Sequence, residues 1–412
     1  DIIVVGAGVA GVSASIAAAE QGASVILLDD SHGGGATALS GGVVYAGGGT
    51  DQQKAAGYSE DTPENMFRYL KEETKDAVDE ETLRAFCNGS VSRLEWMQRH
   101  GAKFEGSLCP YKTSYPTDKH YLYFSGNEKS HPFSKIAKPA PRGHRMASPG
   151  FSGGALWQAL FKSALKLGVR VLPTSKVERI LLDDQGVTSG VEFKSLNTSS
   201  KAFQRHKTLT SLGQQHQLLL PNLAARILDR ADTLWKRKAL ASKLNAPAVI
   251  LAAGGFAFNP AMRQRYATDF SKVAPLGTRG DDGSGIRLGQ SVGGSLRKMD
   301  NMSAWRFLYP PTALLEGVVV SQAGQRFIAE DIYGATLSDK MIRQNDSKGF
   351  LVLDSTQWAK AKQQLYQQTQ SPLLLQRLHW LIWDHKKAPS IEDLATQLDI
   401  VVDVLRQTVV EY

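Results

Sequence analysis

Cysteine is scarce in this chain: Cys87 and Cys109 are the only two among 412 residues. Two thiols cannot staple a secreted disulfide scaffold, and neither stands in a redox or metal-ligand spacing. That usage suits a reducing, cytoplasmic setting and a fold held by its own core. The histidines add no metal pattern either: His120, His131 and His144 fall in no ligand-like spacing, so no metal site is expected. Long apolar runs are also missing. None reaches the roughly 18 to 20 residues that a membrane-spanning helix needs. With 42% apolar and 21% charged residues the chain is globular instead, and long enough for two domains. It begins without methionine, almost inside its first strand, so a trimmed leader is expected and the lack of a targeting peptide carries no weight.

Acidic residues are in deficit, leaving a net charge of +8 that is unevenly spread. Between Lys201 and Lys243 nine Lys or Arg face two Asp, with Leu218, Leu219, Leu220, Leu223, Ile227, Leu228, Leu234 and Trp235 interleaved. A basic amphipathic helix pair of this kind can touch an anionic membrane surface peripherally or stand as a solvated face. Nucleic acid has no supporting motif beyond the charge, and no nucleic-acid partner is expected.

What is abundant is glycine, and its placement carries chemistry. A short apolar run from Asp1 to Val5 ends at Gly6-Ala7-Gly8-Val9-Ala10-Gly11, followed by an alanine-rich helix to Gly22. A second strand, Ser24 to Leu28, ends at Asp29 and Asp30, the first of them 18 residues past Gly11. Gly6 permits a tight turn, Gly8 lets the backbone approach a pyrophosphate, and Gly11 lets helix and strand pack closely. The helix N-terminus presents free N–H groups and a positive dipole end to the phosphates. Asp29 can accept hydrogen bonds from a ribose hydroxyl, with Asp30 beside it. The arrangement predicts a dinucleotide site.

The following stretch selects the dinucleotide. Gly33 to Gly49 holds eight glycines in seventeen residues. Such a run is either a flexible surface loop or a bed for a long ligand. FAD needs the latter, because its ribityl chain and ring lie along the backbone beyond the pyrophosphate. Gly34, Gly35, Ala36, Thr37, Ser40, Gly41 and Gly42 offer N–H groups and two hydroxyls for that purpose. Further along, Val177, the small residues Ala253 and Gly254 ending a buried strand, and Asp282 and Ser284 in a second glycine-dense turn complete the expected FAD-binding set. The strand end lies where open α/β sheets bind ligands.

The expected fold is α/β, with a Rossmann-like FAD-binding domain and a second domain that covers the flavin. Residues 1–270 are read as the FAD-binding domain, carrying the basic insertion 201–243, and 271–412 as the catalytic, substrate-binding domain. Phe67 to Arg99 reads as two helices, and Leu108 to Glu128 as a structured tyrosine-rich loop that either roofs a flat apolar substrate or simply packs. A helix over Gly154 to Gly168 leads to strands at Val169–Leu172, Val177–Leu182, Gly190–Phe193 and Ala248–Leu251, which rebuild the sheet of the first domain. No second G-x-G-x-x-G occurs, which points to an external electron acceptor rather than a nicotinamide domain.

With GAGVAG, LLDD, GGGATALSGG, AVILAAGG, GDDGSG and GQRFIAED in one order, the whole chain resembles the fumarate reductase/3-ketosteroid dehydrogenase group of flavoproteins. Within that group it looks most like the 3-ketosteroid dehydrogenases, in particular the Δ4-(5α) type. The hints are GGATALSGG, the tyrosine-rich loop, and Tyr333 in AEDIYG. Fumarate-type reductases carry a His-Pro-Thr segment and an arginine four residues past the Glu of their RFxNE motif. Here the first reads Tyr309-Pro310-Pro311-Thr312, and the second position, four past Glu330, is Gly334. A dicarboxylate requires cationic partners at such places. The resemblance therefore implies an FAD-dependent CH–CH oxidoreductase acting on an apolar, ketosteroid-like small molecule. It also implies that the FAD-binding domain is of the glutathione-reductase type and that the second domain is an inserted α+β catalytic cap. Fumarate or urocanate reduction, or flavoprotein monooxygenation, are the alternatives. In this group a sequence like Thr408 to Tyr412 leads into a segment that completes the FAD domain, so that C-terminal part is expected to be missing here.

Ketosteroid dehydrogenation takes a proton from the carbon beside the ketone and a hydride from the next carbon. A tyrosine phenol suits the acid–base part, since it is neutral and donates well. Tyr333, just past the Glu330-Asp331 turn, is the first catalytic candidate and Tyr309 the second. Glu330 and Asp331 either tune the phenol or form a solvated turn.

Overall fold

The computed structural model describes residues 1–217 and 220–412; Leu218 and Leu219, two of the apolar residues in the basic segment, lie outside the described residues. The contacts divide the chain into two compact units, one of residues 1–40, 153–266 and 274–299, the other of residues 41–152, 267–273 and 300–412.

The first unit is built on a four-stranded parallel sheet in the order Ala248–Leu251, Ile2–Val5, Val25–Leu28, Arg170–Leu172. Its central strands are near-continuous β-branched and leucine runs because both faces are covered; Ile3, Val4, Leu27 and Leu28 are fully buried. The helix Val9–Glu20 buries Val12 and Ile16 and packs on the helix Gly153–Lys166. This is the α/β core that the first strand, glycine turn and alanine-rich helix predict.

Only some of the later strands rejoin that sheet. Ser175–Leu182 and Thr188–Ser195 form a separate antiparallel sheet with Leu240–Asn245, a strand not foreseen in the sequence. The reason is topological: a tight turn, with Asp183 N–H bonded to Val187 O at 2.8 Å, can join only antiparallel neighbours. One face of this sheet sends Val177, Ile180, Val191 and Phe193 into a core shared with Ile3, Val5, Leu28 and Leu288. Between its second and third strands the chain leaves as the basic helix pair, Lys201–His216 and Pro221–Lys238. The two helices bury Thr210, Ala224, Ile227 and Leu228, and Gly213 allows a crossing so close that a Cβ there would lie 2.6 Å from Leu228.

The second unit contains a three-stranded antiparallel sheet in the order Val43–Tyr45, Gly143–Arg145, Leu122–Tyr123, and a pair Val318–Val320 with Phe350–Val352. Residues 67–99 fold as three helices rather than two: Pro63–Thr74, Glu80–Asn88 and Ser90–Arg99. Lys75 takes φ +49, which ends the first helix, and Asp79 caps the second by accepting from Thr82 N–H at 2.9 Å. Gly89 separates the second from the third.

The division expected at 270/271 lies elsewhere in the contacts. Leu288, on the helix Ser284–Ser291, packs in the core of the first unit. Met66, Phe67, Tyr69 and Leu70 instead share a core with Val319, Ile332 and Leu337 of the second. Long-range burial, which composition shifts along the chain do not report, draws these boundaries. Among the described residues no helix is long and apolar enough to cross a membrane.

Candidate functional site

In the first unit the glycine fingerprint has the geometry of a phosphate cradle. Gly6 adopts φ +104, and a Cβ on it would strike Ala252 O at 2.4 Å, so the turn packs directly on the end of the neighbouring strand. A Cβ on Gly11 would lie 1.8 Å from Gly6 O, which makes helix and turn inseparable. Above Gly8 the space is open: its nearest neighbour would be Thr37 Oγ1 at 4.0 Å. Gly8 caps the helix Val9–Glu20 without a side chain, and no acid occupies the first turn. An open backbone at a helix N-terminus whose first turn carries no acid fits a diphosphate. Ala10 lies in that first turn, where its N–H belongs to the free set.

The two acids after the second strand have different tasks. Asp29 is buried, and its carboxylate accepts from Ala7 N–H (2.8 Å), Ser31 N–H (2.9 Å) and Gly33 N–H (2.8 Å). It thus ties the fingerprint turn to the following loop, and much of its acceptor capacity is already occupied. Asp30 is exposed at its tip, although other parts of the protein stand close around its carboxylate. Burial, with Asp29, Asp282 and Asp232 adding to it against the pull of Lys176, pushes its carboxyl up to about 7. Asp282 carries its own partners, Lys176 Nζ at 2.9 Å and Ser284 N–H at 2.8 Å, which hold it below the usual carboxylate range against its burial. Asp282 and Ser284 therefore start the helix Ser284–Ser291, and Lys176 anchors them.

Other expected contacts are taken by the protein itself. The side chain of Val177 lies in the core, leaving only its backbone to meet a ligand. The space beside Gly254 (φ +75) is filled by Asp281, whose Oδ1 would be 2.3 Å from a Cβ there. Asp281 also accepts from Thr278 N–H at 2.9 Å, so it gathers the loops that flank Ala253 and Gly254. Gly34 and Gly35 have positive φ, but Gly35–Leu39 coils into a short helix that includes Ala36 instead of running extended. Thr37 accepts from Val9 N–H at 3.1 Å, and the Ser40 hydroxyl donates to Thr37 O at 2.8 Å.

In the second unit the run continues with Gly41 and Gly42, and here the tyrosine-rich loop packs against the glycines instead of roofing a cavity. Tyr115 occupies the space of a Gly41 Cβ, 2.4 Å away, and its hydroxyl donates to Gly41 O at 2.8 Å. Buried Arg145 donates to the same hydroxyl at 2.8 Å. Met146 N–H is bonded to Gly42 O at 2.9 Å. Tyr115 and Tyr123 are both buried, so packing is the role of this part of the loop.

The same unit separates the two catalytic candidates. The Tyr309 ring is 1% exposed and its hydroxyl donates to Ile332 O at 3.2 Å, which commits it to holding the chain. In this state the Tyr309 hydroxyl is therefore engaged, unlike that of Tyr333. Tyr333 is half-buried against Trp305 and Phe307, and its hydroxyl has no hydrogen-bond partner among the described residues. Burial, reinforced by Glu73 and Glu128, pushes its phenol up to about 12. Its backbone is pinned: Tyr333 N–H donates to Asn127 Oδ1 at 2.6 Å. Asn127, fully buried, donates in turn to both Glu73 oxygens (3.0 and 2.8 Å), and its N–H donates to the Tyr69 hydroxyl at 2.8 Å. Lys112, which donates to Gly126 O, completes the buried polar group, with burial lowering its ammonium.

Asn127, Glu73 and Lys112 were not foreseen. No spacing in the sequence joins Glu73 to Asn127, 54 residues away. Glu330 departs from the solvated-turn reading: it is 4% exposed, paired with Arg326 at 2.6 Å, and accepts from Val319 N–H at 2.8 Å. Position 334 is also decided by packing. A Cβ on Gly334 would lie 2.5 Å from the Phe307 ring and 2.9 Å from Arg306 O, so an arginine cannot be accommodated without moving both. Cys87 and Cys109 are buried, with thiols pushed up to about 11 by burial. His144, bonded to Thr50 Oγ1 at 2.9 Å, is pushed down to about 4 by burial and stays neutral.

Comparison with known proteins places these features. Residues 1–350 match the family described as FAD binding domain. The chain is 37% identical over 421 residues to a 3-oxo-5-alpha-steroid 4-dehydrogenase of Comamonas testosteroni, spanning 98% of this chain and 77% of that protein. It is 24% identical over 368 residues to a fumarate reductase (cytochrome) of Shewanella frigidimarina, covering 86% of this chain but 52% of that one. Among solved structures, the 3-ketosteroid-delta4-(5alpha)-dehydrogenase from Rhodococcus jostii RHA1, in complex with 4-androstene-3,17-dione, superposes with a TM-score of 0.80 at 28% identity, over 99% of this chain and 75% of that one.

Proposed function

The chain belongs to the FAD binding domain family, and from that membership we propose that it is an FAD-dependent dehydrogenase of 3-ketosteroids. The substrate class comes from the two steroid dehydrogenases it resembles. The observation that carries it is local: an unengaged Tyr333 hydroxyl stands on an aromatic wall, and Phe307 fills the place where a dicarboxylate enzyme would need an arginine.

Bound FAD supplies the hydride acceptor. The chain supplies a donor for the ketone, an apolar contact surface and the groups that position them. With its phenol raised to about 12, Tyr333 stays protonated at neutral pH and can donate to the ketone oxygen. Negative charge would gather on that oxygen as a base takes the proton of the neighbouring carbon, so a fixed donor beside an aromatic wall lowers the barrier. Trp305 and Phe307 offer flat apolar contact for a fused-ring ligand. Asn127, braced by Glu73 and Tyr69, sets the position of the tyrosine. On this reading the second unit is the catalytic cap inserted into the FAD-binding fold, and the electrons leave for an external acceptor.

Anaerobic mixing of the holoprotein with a 3-ketosteroid is expected to bleach the flavin, while reduced holoprotein is not reoxidised by fumarate or urocanate. Bleaching reversed by a dicarboxylate, with none by steroids, would overturn the assignment.

In the nucleotide half, Asp30 is our candidate for the ribose and Asp29 for the loop that frames it. A hydrogen bond to a charged group is worth about 1.5–3 kcal/mol, so Asp30→Asn is expected to weaken FAD binding about 10- to 100-fold. The sign of the pH effect follows from the raised value. An acid raised to about 7 in the fold stabilises the apoprotein below pH ~4, and that contribution is lost as pH rises through 7. Ribose hydroxyls donate best to the ionised form, so FAD affinity should climb between pH 6 and 8 and be flat in Asp30→Asn. Titration of apoprotein by flavin fluorescence quenching decides it; parental affinity in the variant rejects the assignment. Asp29→Asn is expected to lower thermal stability as well, because one carboxylate oxygen becomes an amide NH2, so Ala7 N–H loses its acceptor and the bonds from Ser31 and Gly33 lose their charge.

A further inference from the structure

The basic helix pair Lys201–His216 and Pro221–Lys238 plays no part in the proposed chemistry, yet it is fastened to the loops around Asp30. On the first helix, His206 Nδ1 lies 3.0 Å from His32 Nε2, and Phe203 meets the His32 ring edge-on with centroids 5.2 Å apart. His32 itself stands between the acids Asp29–Asp30 and the Gly33–Gly35 run. On the second helix, Asp229 and Asp232 hold Arg279 at 2.7 and 2.9 Å. Arg279 adjoins Gly280, where a Cβ would lie 3.3 Å from both Asp30 oxygens. Trp235 donates through its indole to Thr174 O at 2.8 Å, and Thr174 N–H in turn donates to Ser31 O at 2.6 Å. Each loop gripped by the hairpin thus borders Asp30.

We propose that this hairpin is a clamp over the adenosine end of FAD, and that the His32–His206 contact is its latch. The inference depends on the dinucleotide cofactor and not on the steroid assignment, so it stands or falls separately. An insertion needed only for solubility would have no reason to engage three loops that meet at one carboxylate. A ring-to-ring hydrogen bond also requires at least one neutral imidazole. Burial provides this, pushing His32 down to about 4 and lowering His206 too, against the attraction of Asp232 for His206 and in keeping with Lys207 beside His32. The adenosine half is the natural ligand for such a device, because FMN has no group that would reach it.

The test is the rate at which preloaded holoprotein releases flavin on dilution, followed by the rise in free-flavin fluorescence. His206→Ala and Phe203→Leu are expected to release FAD about tenfold faster than the parent, the scale of one lost hydrogen bond or aromatic contact. His206→Gln, which keeps a hydrogen-bonding side chain, should fall between. FMN loaded into the same proteins should leave at the parental rate. FAD release within twofold of the parent in folded variants overturns the clamp. Equal acceleration for FMN also overturns it, since that marks a general loosening; if His206→Ala does not fold, the Gln and Leu variants decide the same question.

Discussion

Tyr333→Phe is expected to slow anaerobic flavin reduction by a 3-ketosteroid by about 10²- to 10³-fold, the usual contribution of one fixed donor to a developing oxyanion. Flavin content should not change. Phe keeps the ring packed on Trp305 and Phe307 and removes only the hydroxyl, which bonds to nothing else among the described residues. Stability should therefore hold, and the loss should appear in the reduction rate at saturating steroid more than in the apparent affinity. Tyr309→Phe is the internal control. Its hydroxyl holds Ile332 O at 3.2 Å, so its removal is expected to cost about 1 kcal/mol of stability with reduction near the parental rate. Stopped-flow measurement at 450 nm and thermal melts separate the two. A near-parental rate for Tyr333→Phe would remove this residue from the mechanism.

The second large effect concerns stability. Arg142 and Asp61 form an ion pair with both side chains 0% exposed, at 2.8 Å. Asp61 also accepts from Gly48 N–H (3.0 Å), Gln53 Nε2 (2.8 Å) and Asn65 Nδ2 (2.8 Å), so one carboxylate organises the end of the glycine-rich run. Asp61→Ala leaves a buried guanidinium and several donors without their acceptor, and is expected to cost about 3–5 kcal/mol. Replacing both partners, Asp61→Leu with Arg142→Met, should cost less, because no charge is then stranded. Burial opposes ionisation of Asp61, but the Arg142 hydrogen bond and charge outweigh it and hold the carboxyl below its usual value. A depressed acid stabilises the fold above its unfolded pKa and loses that contribution as pH falls through the folded one. The parent should therefore lose this contribution on the acid side of pH ~4, and Asp61→Ala should lack that part of the acid sensitivity. Denaturation of the variant at the parental midpoint would show the pair to be energetically idle.

The nucleotide end was largely legible in the sequence because its determinants are local. A glycine at Gly6 is required by a positive φ and a contact with Ala252, and Gly11 by a contact with Gly6, so the chemistry of the turn is written in consecutive residues. The parallel sheet was legible for a similar reason: strands buried on both faces read as unbroken Val, Ile and Leu runs. The presence of Tyr333 beside an acidic turn could also be read. Its freedom, and the engagement of Tyr309, could not.

Those distinctions depend on where distant segments meet. Asn127 reaches Tyr333 across 206 residues, and His206 reaches His32 across 174, with no periodicity that would announce either contact. The sequence alone established a dinucleotide cradle, an FAD-type glycine run and an α/β core, since each follows from φ/ψ limits and side-chain alternation over a few residues. Tertiary structure alone decided which of the two acids is engaged by backbone N–H groups, which tyrosine hydroxyl is unengaged, and that residues 41–152 pack with 300–412. Burial and hydrogen-bond satisfaction are properties of the folded neighbourhood, and a side chain acquires them only when remote parts of the chain close around it.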